Sequence, residues 1–103
     1  MNPLILPISF SEDAKKEILS ILDNTQIPEG YFLRVGTDGA GCAGVRYVIG
    51  FDEMKKNDRL LNSEDFSFLI ANKDFMHLIG KKIDFLNNGN ESGFVFSDDY
   101  GAG

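Results

Sequence analysis

Cys42 is the only cysteine in this chain of 103 residues, and it lies in the glycine-rich stretch Gly39-Ala40-Gly41-Cys42-Ala43-Gly44. Glycines let a backbone approach a ligand closely, and an uncrowded thiolate can ligate iron or a soft metal. A lone cysteine is more often a small buried apolar side chain than a metal ligand, so the cysteine count alone favours a buried Cys42. The density of glycines supports the alternative, in which Cys42 is a metal ligand and Gly41 and Gly44 shape its binding loop.

The same stretch matches the letters of the dinucleotide-binding pattern G-x-G-x-x-G. That pattern requires a helix to begin at the loop, so that its N-terminus points at the pyrophosphate. Residues 45–51 alternate between apolar and other side chains and therefore predict a strand instead. The chain also has no Gly-Lys-Ser/Thr of a P-loop. We therefore exclude nucleotide binding.

His77 is the only histidine, and the sequence places no nucleophile near it. We interpret it as a surface or half-buried side chain rather than a general base. A dyad of Cys42 and His77 would make a thiol enzyme, which we rank last among the hypotheses. Asp98 and Asp99 could offer oxygen ligands to mononuclear iron, but a solvated acidic tail is the preferred interpretation.

Asp52 and Asp84 follow or lie within separate predicted strands, where two carboxylates could act as an acid and a base. We prefer the plainer interpretation that both occupy outward-facing polar positions. Tyr47 and Phe51 are interpreted as core side chains rather than as rings that stack on a cofactor.

The bulk composition limits the partners. A net charge of −6 argues against binding nucleic acid or an anionic membrane surface. No apolar run approaches the roughly 20 residues that span a bilayer, and the apolar residues 1–10 lack the basic start of a signal peptide. With one cysteine there is no internal disulfide framework, so we expect a reducing cytoplasm.

Alternation and capping signals predict one early helix followed by short strands. Ser11 is the expected N-cap of a helix over 12–22. Residues 36–44 are expected to form a loop, residues 52–58 a polar connection, and residues 74–79 a short helix or 3₁₀ turn. The predicted strands cover residues 6–10, 31–35, 45–51, 66–71, 82–86 and 92–96.

These elements predict a mainly β fold with one N-terminal helix, a β-rich α+β class. There is no βαβ alternation, so we expect a mostly antiparallel arrangement. The length fits a single domain over 1–103, with a flexible tail at about 97–103.

Five segments of this chain resemble the HesB/IscA/SufA family of A-type iron–sulfur carriers, in an order and spacing that hold from about residue 8 to 96. They are Leu33-Arg34-Val35-Gly36, Gly41-Cys42-Ala43-Gly44-Val45-Arg46-Tyr47, Phe51-Asp52, Ile83-Asp84-Phe85 and Ser92-Gly93-Phe94-Val95-Phe96. The resemblance implies a two-sheet β-sandwich or distorted barrel that forms homodimers or tetramers. It also implies binding of iron or a [2Fe–2S] or [4Fe–4S] cluster, with iron–sulfur assembly proteins or apo-protein clients as partners.

The chain departs from the family at its C-terminal end, where the family's Cys-Gly-Cys motif has no counterpart. Cys42 matches the first family cysteine and is the one predicted ligand that remains. Because clusters generally bind four thiolates, a cluster would need glutathione or four converging Cys42 side chains. Two hypotheses stay open: a carrier that is not an enzyme, and a metal-free relative that acts as a protein-interaction module in iron–sulfur biogenesis.

Overall fold

The computed structural model describes residues 6–41 and 44–98, and for 39–41 and 44–45 it describes the backbone alone. This part of the chain forms seven strands and two helices, which confirms the mainly β class and adds a second helix. In chain order they are β1 (Ile8–Phe10), α1 (Glu12–Asn24), β2 (Tyr31–Gly41), β3 (Gly44–Glu53), β4 (Asp58–Asn62), β5 (Ser67–Ala71), α2 (Asn72–Leu78), β6 (Lys81–Asn87) and β7 (Ser92–Asp98).

The strands form two open sheets, with the orders β1-β6-β7 and β3-β2-β5-β4. Three of the described pairings are antiparallel, whereas β1 with β6 and β2 with β5 are parallel. Both sheets are therefore mixed, although the three longest ladders are antiparallel, in line with the expected mostly antiparallel arrangement. Neither sheet closes on itself, so the fold corresponds to the sandwich and not to the distorted barrel.

The two sheets share one apolar core. The Phe10 ring of β1 packs edge-on against Phe66 and Phe68, with ring centroids 5.1 and 5.2 Å apart. Ile83 of β6 and Val35 of β2 are both fully buried in the same cluster. Burial of large rings and aliphatic side chains from both sheets supplies the main force that holds them together.

Ser11 caps α1 as predicted, because its hydroxyl oxygen accepts a hydrogen bond from the Ala14 amide at 3.1 Å. The same hydroxyl donates to Asp84 Oδ1 at 2.6 Å, so the cap also ties the helix to β6. The buried Ala14 and Ile18 face the core. The helix continues two residues beyond its predicted end, to Asn24.

The predicted loop over 36–44 is wrong. β2 continues to Gly41 and β3 begins at Gly44, with Asp38 opposite Arg46 and Gly41 opposite Gly44. Ladder hydrogen bonds join main-chain groups, so glycines can be paired even though they lower strand propensity. The register shifts between Asp38 and Gly41, so part of the glycine-rich stretch lies at an irregularity of the β2–β3 ladder.

Several other boundaries differ from the prediction. β4 was missed, because Asp58-Arg59-Leu60-Leu61-Asn62 lacks alternation and becomes a strand by pairing with β5. The short helix begins two residues earlier than predicted. Ser97 and Asp98, expected in the flexible tail, belong to β7, and the rest of that predicted tail lies outside the described residues. Neither of the described helices is long and apolar enough to cross a membrane.

Candidate functional site

Cys42, the predicted metal ligand, lies outside the described residues. Its flanking glycines are placed: Gly41 ends β2, Gly44 begins β3, and the two are register partners. Cys42 and Ala43 are therefore the two residues that separate the paired ends of a β-hairpin in the sequence. The predictions about the thiol and about the roles of Gly41 and Gly44 stay predictions.

The hairpin is fixed at its base by one pair of residues. Thr37 of β2 lies opposite Tyr47 of β3. The Tyr47 ring stacks on Phe96 of β7, with centroids 5.0 Å apart and planes inclined by 14°. The ammonium of Lys81 lies 5.2 Å from the centre of the same ring. Tyr47 is thus a packing residue that connects the two sheets, as the sequence predicted.

Beyond this base, the described part of the hairpin extends as an arm, residues 38–41 and 44–46. The first pair of the arm is Asp38 with Arg46, whose carboxylate and guanidinium lie 3.3 Å apart. Both side chains are largely exposed, so the ion pair contributes at most about 1 kcal/mol to stability. The ion pair of Asp38 and Arg46 therefore adds less to the position of the arm than the contacts of its base do.

The second contact that fixes the base is made by Thr37 with a buried carboxylate. Asp74 of α2 is only 5% exposed and accepts hydrogen bonds from the Thr37 hydroxyl at 2.6 Å and from the Lys73 ammonium at 3.0 Å. Burial raises the pKa of Asp74, but the hydrogen bonds from Thr37 and Lys73 outweigh burial and leave that pKa below its ordinary value. Asp74 is therefore ionised at neutral pH and holds α2 against β2.

Gly36 makes this close approach possible. A Cβ atom at Gly36 would lie 2.9 Å from Asp74 Oδ2, a distance that real Cβ contacts do not show. Any larger residue at this position would require the Asp74 carboxylate to shift. The requirement for Gly36 in the Leu33-Arg34-Val35-Gly36 segment is thus a steric one, imposed by α2.

The sequence prediction missed a charged cluster centred on Arg34. Its guanidinium donates to both carboxylate oxygens of Asp58, with an Nη1–Oδ1 distance of 2.9 Å, and its Nε donates to Asp52 at 3.0 Å. The hydrogen bond from Arg34 lowers the pKa of Asp58, and the hydrogen bond from Lys55 is the main cause that lowers the pKa of Asp52. Without β4 in the predicted fold, no sequence signal placed Asp58 beside Arg34.

The structure does not bring Asp52 and Asp84 together as an acid–base pair. Asp52 belongs to the four-stranded sheet, whereas Asp84 belongs to β6 of the other sheet. Asp84 accepts hydrogen bonds from the Ser11 hydroxyl and from the Phe85 amide, and these bonds lower its pKa. Each carboxylate is therefore a structural acceptor in its own sheet.

The remaining candidates are also placed apart. His77 is an exposed residue in the last turn of α2, which agrees with its interpretation as a surface side chain. Asp98 is ion-paired with Lys81 at 2.6 Å, and Asp99 lies outside the described residues. Within residues 6–41 and 44–98, no three side chains of His, Cys, Asp or Glu form a group that could hold a metal ion. The described residues therefore contain no cluster of three such side chains that could bind iron.

Residues 6–101 match the family model described as iron–sulphur cluster biosynthesis. The chain is also similar to the iron-binding protein IscA of Xenorhabdus nematophila, with 31% identity over 94 residues. The aligned region spans 90% of this chain and 86% of that relative. The match thus covers nearly the whole fold described above.

Two solved structures share this fold. The structure of Escherichia coli SufA, involved in biosynthesis of iron–sulfur clusters, aligns with a TM-score of 0.75 at 22% identity and covers 96% of this chain and 89% of SufA. The structure of IscA with a [2Fe–2S] cluster aligns with a TM-score of 0.67 at 21% identity and covers 88% of this chain and 81% of IscA. At these identities the likeness establishes the two-sheet architecture alone.

Proposed function

The chain belongs to the iron–sulphur cluster biosynthesis family, and on that premise we propose that it carries iron or an iron–sulfur cluster as cargo through the Cys42 thiolate. One observation carries this proposal. The only cysteine of the chain separates the paired glycines Gly41 and Gly44 of a hairpin, in a chain that matches the family over residues 6–101.

The cargo is shared between several chains. A cluster generally binds four thiolates, and one chain offers one. Two chains with two glutathione molecules, or four chains with four Cys42 thiolates, complete the same ligand set. We therefore propose a homodimer or a tetramer as the loaded form, with the hairpin arms of neighbouring chains facing one another.

We propose a carrier rather than an enzyme, acting in the cytoplasm on iron–sulfur assembly proteins and apo-protein clients. The carboxylates that could serve as acid and base are engaged elsewhere, Asp52 by Arg34 and Lys55 and Asp84 by Ser11. A carrier needs only a thiolate that can release its cargo to stronger ligands, and a single thiolate per chain suits easy release.

Anaerobic reconstitution tests the proposal. The protein is incubated with ferrous iron, sulfide and glutathione, desalted, and examined by visible absorption and by iron and sulfide analysis. We expect charge-transfer bands in the wild type and their loss in Cys42→Ser. The double variant Cys42→Ser with Ser92→Cys is a matched control, because it keeps one thiol per chain but moves it to the exposed start of β7.

The control variant should stay colourless, since Ser92 lies on a different strand from the hairpin arm. Equal absorbance in the control would show that any exposed thiol suffices and would contradict the role of the hairpin. A colourless wild type at every ratio of iron to protein would favour the second candidate, a metal-free interaction module. The single cysteine is the observation that keeps this candidate open.

A further inference from the structure

A cleft of about 710 Å³ opens on the outer face of the four-stranded sheet. Arg34, Gly36 and Val48 line it, and they alternate along β2 and β3 with side chains that point into the core, such as Val35 and Ile49. The other wall comes from the β3–β4 connection and from the start of α2. The cleft therefore lies on the side of the sheet opposite the β1-β6-β7 sheet.

The cleft continues towards the edge of the sheet. A second depression of about 220 Å³ shares Arg34, Val48 and Asp52 with it and reaches Gly50 on β3. β3 is the outermost strand on that side of the sheet. Together the two adjoining depressions form an open groove whose lining runs from Ala71 to Gly50, and we call it the outer groove. An open groove of this shape fits an extended chain better than a compact small molecule, which binds in a more enclosed pocket.

The floor of the outer groove is apolar, and its rim carries both basic and acidic side chains. Val48, which is 40% exposed, and Ala71 contribute apolar floor, and the lysines Lys55, Lys56 and Lys73 stand around it. Four of the ten Lys and Arg residues and three of the sixteen Asp and Glu residues of the chain line the cleft, which gives its lining a net charge of +1 in a chain with a net charge of −6. Among the residues that line this cleft, basic side chains therefore outnumber acidic ones beside an exposed apolar floor.

The lysines retain capacity for a ligand. Lys56 forms no ion pair with any described residue, whereas Lys55 pairs with Asp52 and Lys73 with Asp74. The side chains of Lys55 and Lys73 are 58% and 75% exposed, and an ammonium group has three hydrogen-bond donors. All three ammonium groups can therefore donate a hydrogen bond to the carboxylate of a ligand without breaking the internal ion pairs.

From these observations we propose that the outer groove binds an extended segment of a partner polypeptide in which acidic residues alternate with aliphatic ones. The carboxylates lie over Lys55, Lys56 and Lys73, and the aliphatic side chains cover Val48 and Ala71. Charge complementarity selects an acidic segment over a basic one. The inference goes beyond the proposed function, since the groove exists whether or not Cys42 holds iron.

The test uses the metal-free full chain and a fluorescent peptide of twelve residues that alternates Glu with Val and Leu. A second peptide carries Lys in place of every Glu. Fluorescence anisotropy gives the affinities, and amide chemical shifts of the isotope-labelled protein give the site. We expect saturable binding of the acidic peptide alone, weaker at high salt, with the largest shifts at Val48, Gly50 and Ala71.

Two variants change the charge of the groove, one at Lys56 and one at Gly50, which is the cross-strand partner of Arg34. Lys56→Glu reverses the one unpaired charge, and Gly50→Glu adds a carboxylate where a Cβ meets no atom within 4 Å and φ is not positive. Each should weaken binding by about threefold to tenfold. Lys16→Glu, on the exposed face of α1, makes the same charge change elsewhere, and Gly50→Ala adds a side chain without charge. Lys16→Glu should bind the peptide as the wild type does, and Gly50→Ala should lose less affinity than Gly50→Glu, because it adds volume without charge.

Equal binding of the two peptides, shifts outside the groove, or the same loss in Lys16→Glu would overturn the proposal. Competition by free citrate at the same concentration of carboxylates would also overturn it, because it would show a simple anion site. Cys42→Ser should bind the peptide unchanged. A failure of peptide binding is thus separable from a failure of cluster carriage.

Discussion

Thr37 and Tyr47 face each other across β2 and β3, and each is attached to a different element outside the hairpin. The Thr37 hydroxyl donates to Asp74 of α2, and the Tyr47 ring stacks on Phe96 of β7. The base of the arm is therefore fixed by contacts with two elements outside the hairpin, α2 and β7.

Thr37→Val should lower the free energy of unfolding by about 1 to 3 kcal/mol, because Asp74 stays buried and charged while it loses a hydrogen bond. Urea denaturation followed by circular dichroism measures the change. Thr25→Val is the matched control: Thr25 is exposed at the end of α1, and its amide, which caps the helix, is kept. A Thr37 variant as stable as the Thr25 variant would mean that the contact with Asp74 does not anchor α2.

Gly36→Ala should destabilise the protein by about 1 to 3 kcal/mol, because the new methyl group collides with the Asp74 carboxylate. Gly50→Ala, on the neighbouring strand, should change stability by less than about 0.5 kcal/mol, since its Cβ meets no atom. In an Asp74→Ala background the penalty for Gly36→Ala should largely disappear. A full penalty in that background would show that the collision is not with Asp74.

Ser11→Ala should cost about 1 to 2 kcal/mol, because it removes both the N-cap of α1 and the hydrogen bond to Asp84. The control is Ser20→Ala, an exposed position within the same helix where alanine is tolerated well. Thermal and urea denaturation of both variants measure the difference. Equal stability of the two variants would contradict the proposal that the Ser11 hydroxyl stabilises the protein by capping α1 and bonding to Asp84 of β6.

Stability should fall in acid. The pKa values of Asp52, Asp58, Asp74 and Asp84 are all lower in the folded chain than their ordinary values. A carboxyl group with a lowered folded pKa contributes its full stabilisation above the unfolded pKa, about 3.9, and loses it as the pH falls through the folded value. The urea midpoint should therefore be level between pH 7 and 5 and drop below about pH 4.

The Asp58→Asn variant supplies the control for this pH dependence. It should be less stable than the wild type at pH 7, because Arg34 loses its bidentate partner. Its stability should also change less between pH 5 and 3, because one of the four titrating groups is gone. A urea midpoint that rises in acid, or an Asp58→Asn curve as steep as that of the wild type, would contradict this assignment.

Local signals predicted the parts of the fold that depend on neighbouring residues. Ser11 capped its helix, and Tyr47, Ile49 and Phe51 lie on one face of β3 against the core, as the alternation indicated. The sandwich followed from the family resemblance. The pairing of strands could not be predicted in this way, because β1 with β6 and β2 with β5 join segments far apart in the sequence.

The contacts that position the candidate site were harder to predict than the candidate ligand, Cys42. Cys42 stood out because it is the only cysteine and has glycine neighbours. Thr37 and Asp74 are 37 residues apart, and Arg34 and Asp58 are 24 residues apart. Their contacts arise from tertiary packing of α2 and from the missed strand β4. The glycine-rich stretch was interpreted as a loop because strand propensity treats glycine unfavourably, whereas pairing with β3 decides the conformation.

Native mass spectrometry of the anaerobically reconstituted protein tests the central proposal most directly, because it counts chains, iron, sulfide and glutathione in one assembly. We predict a dimer or tetramer of the wild-type chain that carries iron or a cluster, with glutathione present in the dimer, and we predict that Cys42→Ser retains neither iron nor sulfide. A metal-free wild-type chain, or equal iron in the Cys42→Ser variant, would contradict the proposal that this hairpin cysteine holds the cargo.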